Sequence, residues 1–189
     1  MPQLYMIGGP NGAGKTTVSM TLLPELLNCH EYVNADTIAA ALSPFAPETI
    51  AIQAGRLMLQ RIHQLADQGK DFAFETTISS RSFAPFLKQC QQRGYKIILL
   101  YVWLEDDKLA VARVHERVQN GGHSIPDHVV LRRYKRSIDN FLNIYALLAN
   151  RWLLYDNSFN LPKIIAQKDF NQSHQIIDQI AWNKFKGMQ

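Results

Sequence analysis

Cysteine is scarce in this chain, with only Cys29 and Cys90 among 189 residues. Two cysteines cannot build a multi-bridge scaffold, and neither has a companion at C-x-x-C spacing to hold a metal, so reduced thiols are expected. Long apolar runs are also lacking. The strongest, residues 97–104, is far too short to cross a bilayer, and the N-terminus has no basic region followed by an apolar stretch. A soluble, cytoplasmic protein without membrane contact is expected. Repeats, low-complexity tracts and linkers are missing as well, and 189 residues suit one sizeable core better than two, so residues 1–189 read as a single domain.

Positive charge is in modest excess, at +4 with a pI near 9.1. That balance permits nucleic-acid contact, but it suits equally a small enzyme whose substrates carry phosphates. The basic residues concentrate at Arg132, Arg133, Lys135 and Arg136, with Arg113 and Arg117 upstream. No aromatic platform recurs among them, as a single-strand binder would need, so nucleic acid is not the expected partner.

What is present begins at residues 9–16, which match G-x-x-x-x-G-K-[ST] in full. Such a loop wraps phosphate oxygens with backbone N–H groups. Gly9, Pro10, Asn11, Gly12, Ala13, Gly14, Lys15, Thr16 and Thr17 are therefore the expected nucleotide-binding residues. Lys15 supplies a charge for the β- and γ-phosphates of ATP, and the Thr16 hydroxyl is placed to ligate Mg2+. The flanks agree: Leu4-Tyr5-Met6-Ile7 reads as a buried strand, and Val18, Leu22 and Leu23 give an apolar stripe to a helix that Pro24 should interrupt.

Further strands are expected at 31–34, 72–74, 96–104 and 152–155, with a possible edge strand at 163–166. Between them lie helices at 38–42, 48–68 (stripe Ile50, Ala54, Leu57, Met58 and Leu65, stop at Gly69), 83–93 and about 107–119. Ser124 and Asp127 resemble a capping box for one long helix from about 126 to 150, and a terminal helix covers 173–185. Strands alternating with helices imply an α/β fold with a mainly parallel sheet.

In such a sheet, side chains just past strand ends face the ligand crevice. Asp36 follows the second strand, where capping the next helix is the alternative to facing a ligand. Glu75, Thr76 and Thr77 follow the third, and Glu75 or Asp36 could also organise magnesium and water. Residues 118–128, with Gly121 and Gly122 between flanking arginines, read as a mobile lid that brings Arg side chains over a phosphoryl group and excludes water.

The phosphate loop, Val33-Asn34-Ala35-Asp36, Phe74-Glu75-Thr76-Thr77 and the arginine segment 113–136 together resemble the zeta toxin domain family of P-loop kinases, over about residues 3–165. The resemblance implies a five-stranded, shikimate-kinase-like sheet core with a lid, and ATP/Mg-dependent phosphorylation of a small hydroxyl-bearing acceptor. Characterised zeta toxins act on UDP-N-acetylglucosamine, which makes a nucleotide sugar the leading acceptor. Carried over by position, Asp36 is the base towards the acceptor hydroxyl, Glu75 and Thr77 bind the acceptor, and Arg117 and Arg133 clamp phosphate, with Arg113, Arg132 and Arg136 close enough to compete. The resemblance leaves room for an antitoxin protein, though no residue marks one. Where the toxins have a glycine-containing turn after the glutamate, this chain has Thr76-Thr77-Ile78-Ser79-Ser80-Arg81. A nucleotide-dependent switch or a nucleic-acid-associated NTPase stays open beside the kinase.

Overall fold

The apolar run Lys96–Trp103 forms a long strand, buried on both faces, beside the strand that leads into the phosphate loop. In the computed structural model, which describes residues 1–25, 28–119, 122, 124–159 and 161–188, the first strands are β1 (Gln3–Gly8), β2 (Tyr32–Val33), β3 (Phe72–Thr76), β4 (Lys96–Trp103) and β5 (Arg151–Asp156). They pair in parallel in the order β2-β3-β1-β4-β5. The parallel part thus has the five strands expected. Two antiparallel strands extend it to seven: β6 (Lys163–Lys168) and β7 (Gln175–Ile176).

Alternation along β1 explains the layering. Leu4 and Met6 join the larger core, with Met58 and Ile62 of helix α3 (Ala51–Asp67), Leu87 of α4 (Phe83–Gln92) and Ile138 of α6 (Asp127–Asn140). Tyr5 and Ile7 point to the opposite face, into a smaller core with Leu23 of α1 (Lys15–Glu25). Two shorter elements complete the site side: α2 (Ala35–Leu42) and a 3-10 turn, Pro47–Ile50, that leads into α3. Helix α5 (Asp107–Gln119) follows β4. The expected lid joins α5 to α6; within it Asn120, Gly121 and His123 lie outside the described residues.

Several expectations need correction. Pro24 sits in the last turn of α1 rather than ending it beforehand. Leu57 is exposed, and Ile62 takes its place in the buried stripe of α3. There is no capping box at α6: Pro126 occupies the cap position without a side-chain bond, and Asp127 pairs with His115 at 2.7 Å. The long helix is not uniform. A π-helical turn, Phe141–Tyr145, follows α6 and precedes α7 (Ala146–Leu148). The wider turn lets Phe141 and Tyr145 both be buried, Phe141 packing on Tyr101, Trp152 and Phe185. The terminal helix starts later than expected: β7 takes up Gln175–Ile176, and α8 spans Gln179–Lys186 with Asp178 capping Ile180 N and Ala181 N.

Cys29 and Cys90 are free and buried, and burial pushes both thiols up to about 11. Among the described residues, no helix is long and apolar enough to cross a membrane.

Candidate active site

Between the carboxyl end of β1 and the N-terminus of α1, the loop turns so tightly that its glycines leave no room for a side chain. A Cβ on Gly9 would lie 2.1 Å from the Val102 carbonyl oxygen. Gly14, at φ +82°, would place one 2.5 Å from Asn157 Nδ2. Pro10, Asn11 and Ala13 are buried, Gly12 is half-buried, and Thr16 and Thr17 are exposed on the first turn of α1. That first turn carries no acidic residue, so its positive end is left for an anion.

Lys15 is buried beneath this cradle. Its Nζ donates to the Pro10 carbonyl at 3.0 Å and lies 3.9 Å from Glu75 Oε1. Desolvation holds the amine below its ordinary pKa; Glu75 and Asp36 oppose that shift, while Arg117 and Arg133 add to it. A phosphate entering the cradle would stabilise the ammonium and offset both repulsions, so the residues fit a nucleotide phosphate. Among the described residues no cluster of His, Cys, Asp and Glu could hold a metal. A magnesium ion bound with phosphate and water needs only one or two protein ligands, and Thr16, whose hydroxyl lies beside Glu75, is the residue that would supply one.

Glu75 is drawn towards this loop. Its Oε2 accepts from Thr16 Oγ1 at 2.8 Å and from Tyr32 OH at 2.5 Å. Thr77, expected beside Glu75 at the acceptor, lines the same cleft as Glu75, and its hydroxyl pairs with Ser79 at 2.8 Å. Burial, then the Glu75 carboxylate, raises the Tyr32 phenol, which therefore keeps its proton and donates it.

The turn after β3 has its own solution to the missing glycine. Ile78 adopts φ +47°, a conformation costly for a β-branched residue. It is held there from α6 and the π turn: Ser137 donates to Thr77 O, Asn140 to Ile78 O and Tyr145 to Ser80 O, at 2.7, 2.8 and 2.6 Å. Arg133 lies four and seven residues before Ser137 and Asn140, on the same helical face.

One cleft of about 440 Å3 takes in Gly12, Lys15, Thr16, Asp36, Glu75, Thr77, Arg113, Arg117 and Arg133. Met58, Phe83 and Ile125 form its apolar wall. A second lobe of about 450 Å3 shares Thr16, Asp36 and Arg117 with it and continues along Ala39, Ala40 and Pro47. The competing arginines separate. Arg117 and Arg133 both line the cleft, Arg132 and Arg136 do not, and Arg113 is tied to the Asn157 and Ser158 carbonyls at 2.8 and 3.3 Å. Gly122 packs on Arg117: its N–H bonds the Arg117 carbonyl at 2.8 Å, and a Cβ there would meet Arg117 Cγ at 2.5 Å. Asp36 is exposed, in the first turn of α2, and does not cap it. The cap is Asn34, whose Oδ1 accepts from Asp36 N and Thr37 N at 2.8 and 3.4 Å.

Sequence reasoning assigned no role to Tyr32, Asn34 or Asn157. Asn157 Nδ2 donates to the Ala13 carbonyl at 2.8 Å and so holds the phosphate loop from the end of β5. An amide just past a strand end was the available signal. Asn157→Ala is expected to weaken ATP binding by about tenfold, the value of about one hydrogen bond to the loop. Calorimetry measures this, and unchanged affinity would reduce Asn157 to packing.

Comparisons with known proteins agree with this fold. An uncharacterized protein of Haemophilus influenzae is 29% identical over 126 residues, covering 67% of this chain and 88% of its own. A chain of the AvrRxo1-ORF1:AvrRxo1-ORF2 complex, solved with sulphate ions, superposes with TM-score 0.81 at 14% identity, over 100% of this chain. The present chain spans 65% of that protein's length. A chain of the PezAT chromosomal toxin-antitoxin system of Streptococcus pneumoniae gives TM-score 0.64 at 12% identity, over 100% of this chain and 86% of that one. These likenesses are of fold, an α/β P-loop kinase fold. A family model described as an AAA domain matches residues 4–141, most of the chain, and the chain belongs to that family.

Proposed function

We propose that this protein is an ATP/Mg-dependent kinase transferring the γ-phosphate of ATP to a hydroxyl of a small molecule, with a nucleotide sugar such as UDP-N-acetylglucosamine as the leading acceptor. The observation that carries this reading is the convergence of Arg117, from α5, and Arg133, from α6, on the cleft that holds Lys15. Cations contributed by two helices around one phosphate position suit a transferring phosphoryl group, where charge must be neutralised and water excluded.

In this reading Gly9, Pro10, Asn11, Gly12, Ala13, Gly14 and Thr17 form or flank the nucleotide cradle, and Lys15 holds the β- and γ-phosphates. Thr16 ligates magnesium, and Glu75, which accepts from the Thr16 hydroxyl and lines the cleft with Thr77, orders the metal's water shell beside the acceptor. Bound Mg-ATP supplies the phosphoryl group and its charge compensation. Asp36 orients the acceptor hydroxyl and takes its proton, and Thr77 contacts the acceptor. Support for ATP also comes from the AvrRxo1 complex, which was solved with ATP as well, at TM-score 0.80 and 14% identity over 100% of this chain and 64% of that one. PezAT is a toxin-antitoxin system, which makes an antitoxin protein a partner to test for, and a zeta-toxin-like activity part of the proposal.

The test incubates the protein with Mg-ATP and a panel of nucleotide sugars and follows phosphate transfer by mass spectrometry. Lys15→Ala is expected to abolish transfer and leave the fold intact, since it removes a buried cation that desolvation already disfavours. Near-normal ATP turnover in folded Lys15→Ala would remove the premise. Stimulation of ATP turnover by RNA or DNA, falling steeply with salt, would favour the nucleic-acid-associated NTPase.

A further inference from the structure

Strand β2 has only two residues and lies at the sheet edge, yet it leads into the helix that carries Asp36. Ladder bonds over so short a strand do little to fix that helix relative to the phosphate loop. A side-chain chain makes the connection instead. Thr16 Oγ1 and Tyr32 OH both donate to Glu75 Oε2, at 2.8 and 2.5 Å. Asn34 Nδ2 donates to Tyr32 OH at 3.1 Å, and its Oδ1 receives the Asp36 and Thr37 amides. Asn34 is 6% exposed, so its amide spends its bonding capacity inside this network.

We propose that Tyr32 and Asn34 are positioning residues that lock the start of α2 to the Glu75 carboxylate, so that magnesium organisation at Thr16 and the placement of Asp36 are coupled. The inference rests on the proposed binding of Mg-ATP. Without the Tyr32 hydroxyl, Glu75 loses its shortest bond and can swing away from Thr16, and the Asn34 side-chain amide loses the acceptor it donates to. Glu75 would then be a less ordered carboxylate beside a magnesium ion held at Thr16. Outer-shell groups of this kind are worth about ten- to a hundredfold in metal affinity.

The test is calorimetry of ATP binding in magnesium and in EDTA, on the whole chain, for wild type, Tyr32→Phe and Asn34→Ser. Tyr32→Phe keeps the ring and should lose about ten- to a hundredfold of the magnesium-dependent gain in affinity. Its affinity for metal-free ATP should stay within about twofold, since no contact of the ring to the cradle is removed. Asn34→Ser keeps a cap oxygen for α2 but cannot donate to Tyr32 in the same way, and should lose part of the same gain. A full magnesium gain in Tyr32→Phe overturns the proposal, as does an equal loss in both media, which would mark a merely structural tyrosine. If wild type binds ATP but magnesium adds nothing, the coupling is wrong while nucleotide binding stands. If wild type binds no ATP in either medium, the kinase reading falls and takes this inference with it.

Discussion

Arg133→Ala is expected to lower kcat for phosphoryl transfer by about 10³ to 10⁵, the range of an arginine that stabilises a transferring phosphoryl group. Arg117→Ala should fall in the same range, and Arg132→Ala should change kcat by less than about threefold, as a solvated surface charge does. The distinction follows from placement. Arg133 and Arg117 line the cleft and their charges reach Lys15, whereas Arg132 is exposed on α6 and lines no part of it. Nucleotide affinity should fall much less than kcat, because Lys15 and the backbone amides already hold the ground-state phosphates and the arginines gain most as charge redistributes. Steady-state kinetics with the acceptor found in the panel makes the comparison. Small, equal losses at Arg117, Arg132 and Arg133 would return all three to the solvated face of their helices.

How far this site was readable from the chain depends on the sequence distance over which each signal acts. Lys15 and Thr16 were legible because glycine spacing, the strand before and the helix after are all local. The run in β4 was legible for the same reason: a short continuous apolar run rich in Ile, Tyr and Trp is what a strand covered on both faces needs. Nothing local marks Gln175–Ile176 as a strand, since its pairing comes from β6. The π turn at Phe141 likewise answers to the aromatic cluster around it, a tertiary demand that helical periodicity does not encode. In the site, Glu75 could be named from its strand end, but its partners could not, because Thr16, Tyr32 and Glu75 meet only when β2 and β3 pair beside β1. Asn157 reaches Ala13 across 144 residues of sequence. The arginines could not be told apart in the sequence for a related reason. Arg113 resembled its neighbours in sequence until the turn after β5 claimed its guanidinium.

Asp36→Asn is expected to lower transfer by about 10² to 10⁴ while sparing ATP binding, the contribution of a positioned general base. The structure removes the main competing role for this residue, because Asn34 caps α2 and Asp36 contributes only its backbone amide to that cap. Asparagine keeps that amide, the side-chain size and the helical position, so stability should change by less than about 0.5 kcal/mol at an exposed site. What asparagine cannot do is accept the acceptor's proton. The carboxylate lies where the phosphate cleft and the second lobe meet, with Thr16 and Arg117 common to both, so a hydroxyl seated there would approach the phosphate from beside Asp36. The side chain is exposed and makes no side-chain hydrogen bond among the described residues, which leaves its oxygens available to a ligand. Calorimetry gives the nucleotide affinity and mass spectrometry the transfer. Retained transfer would leave Glu75, already bonded to Thr16 and Tyr32, as the carboxylate to test as base. Loss of transfer together with ATP binding would instead place Asp36 at the magnesium, where losing a negative charge weakens the metal and the nucleotide alike.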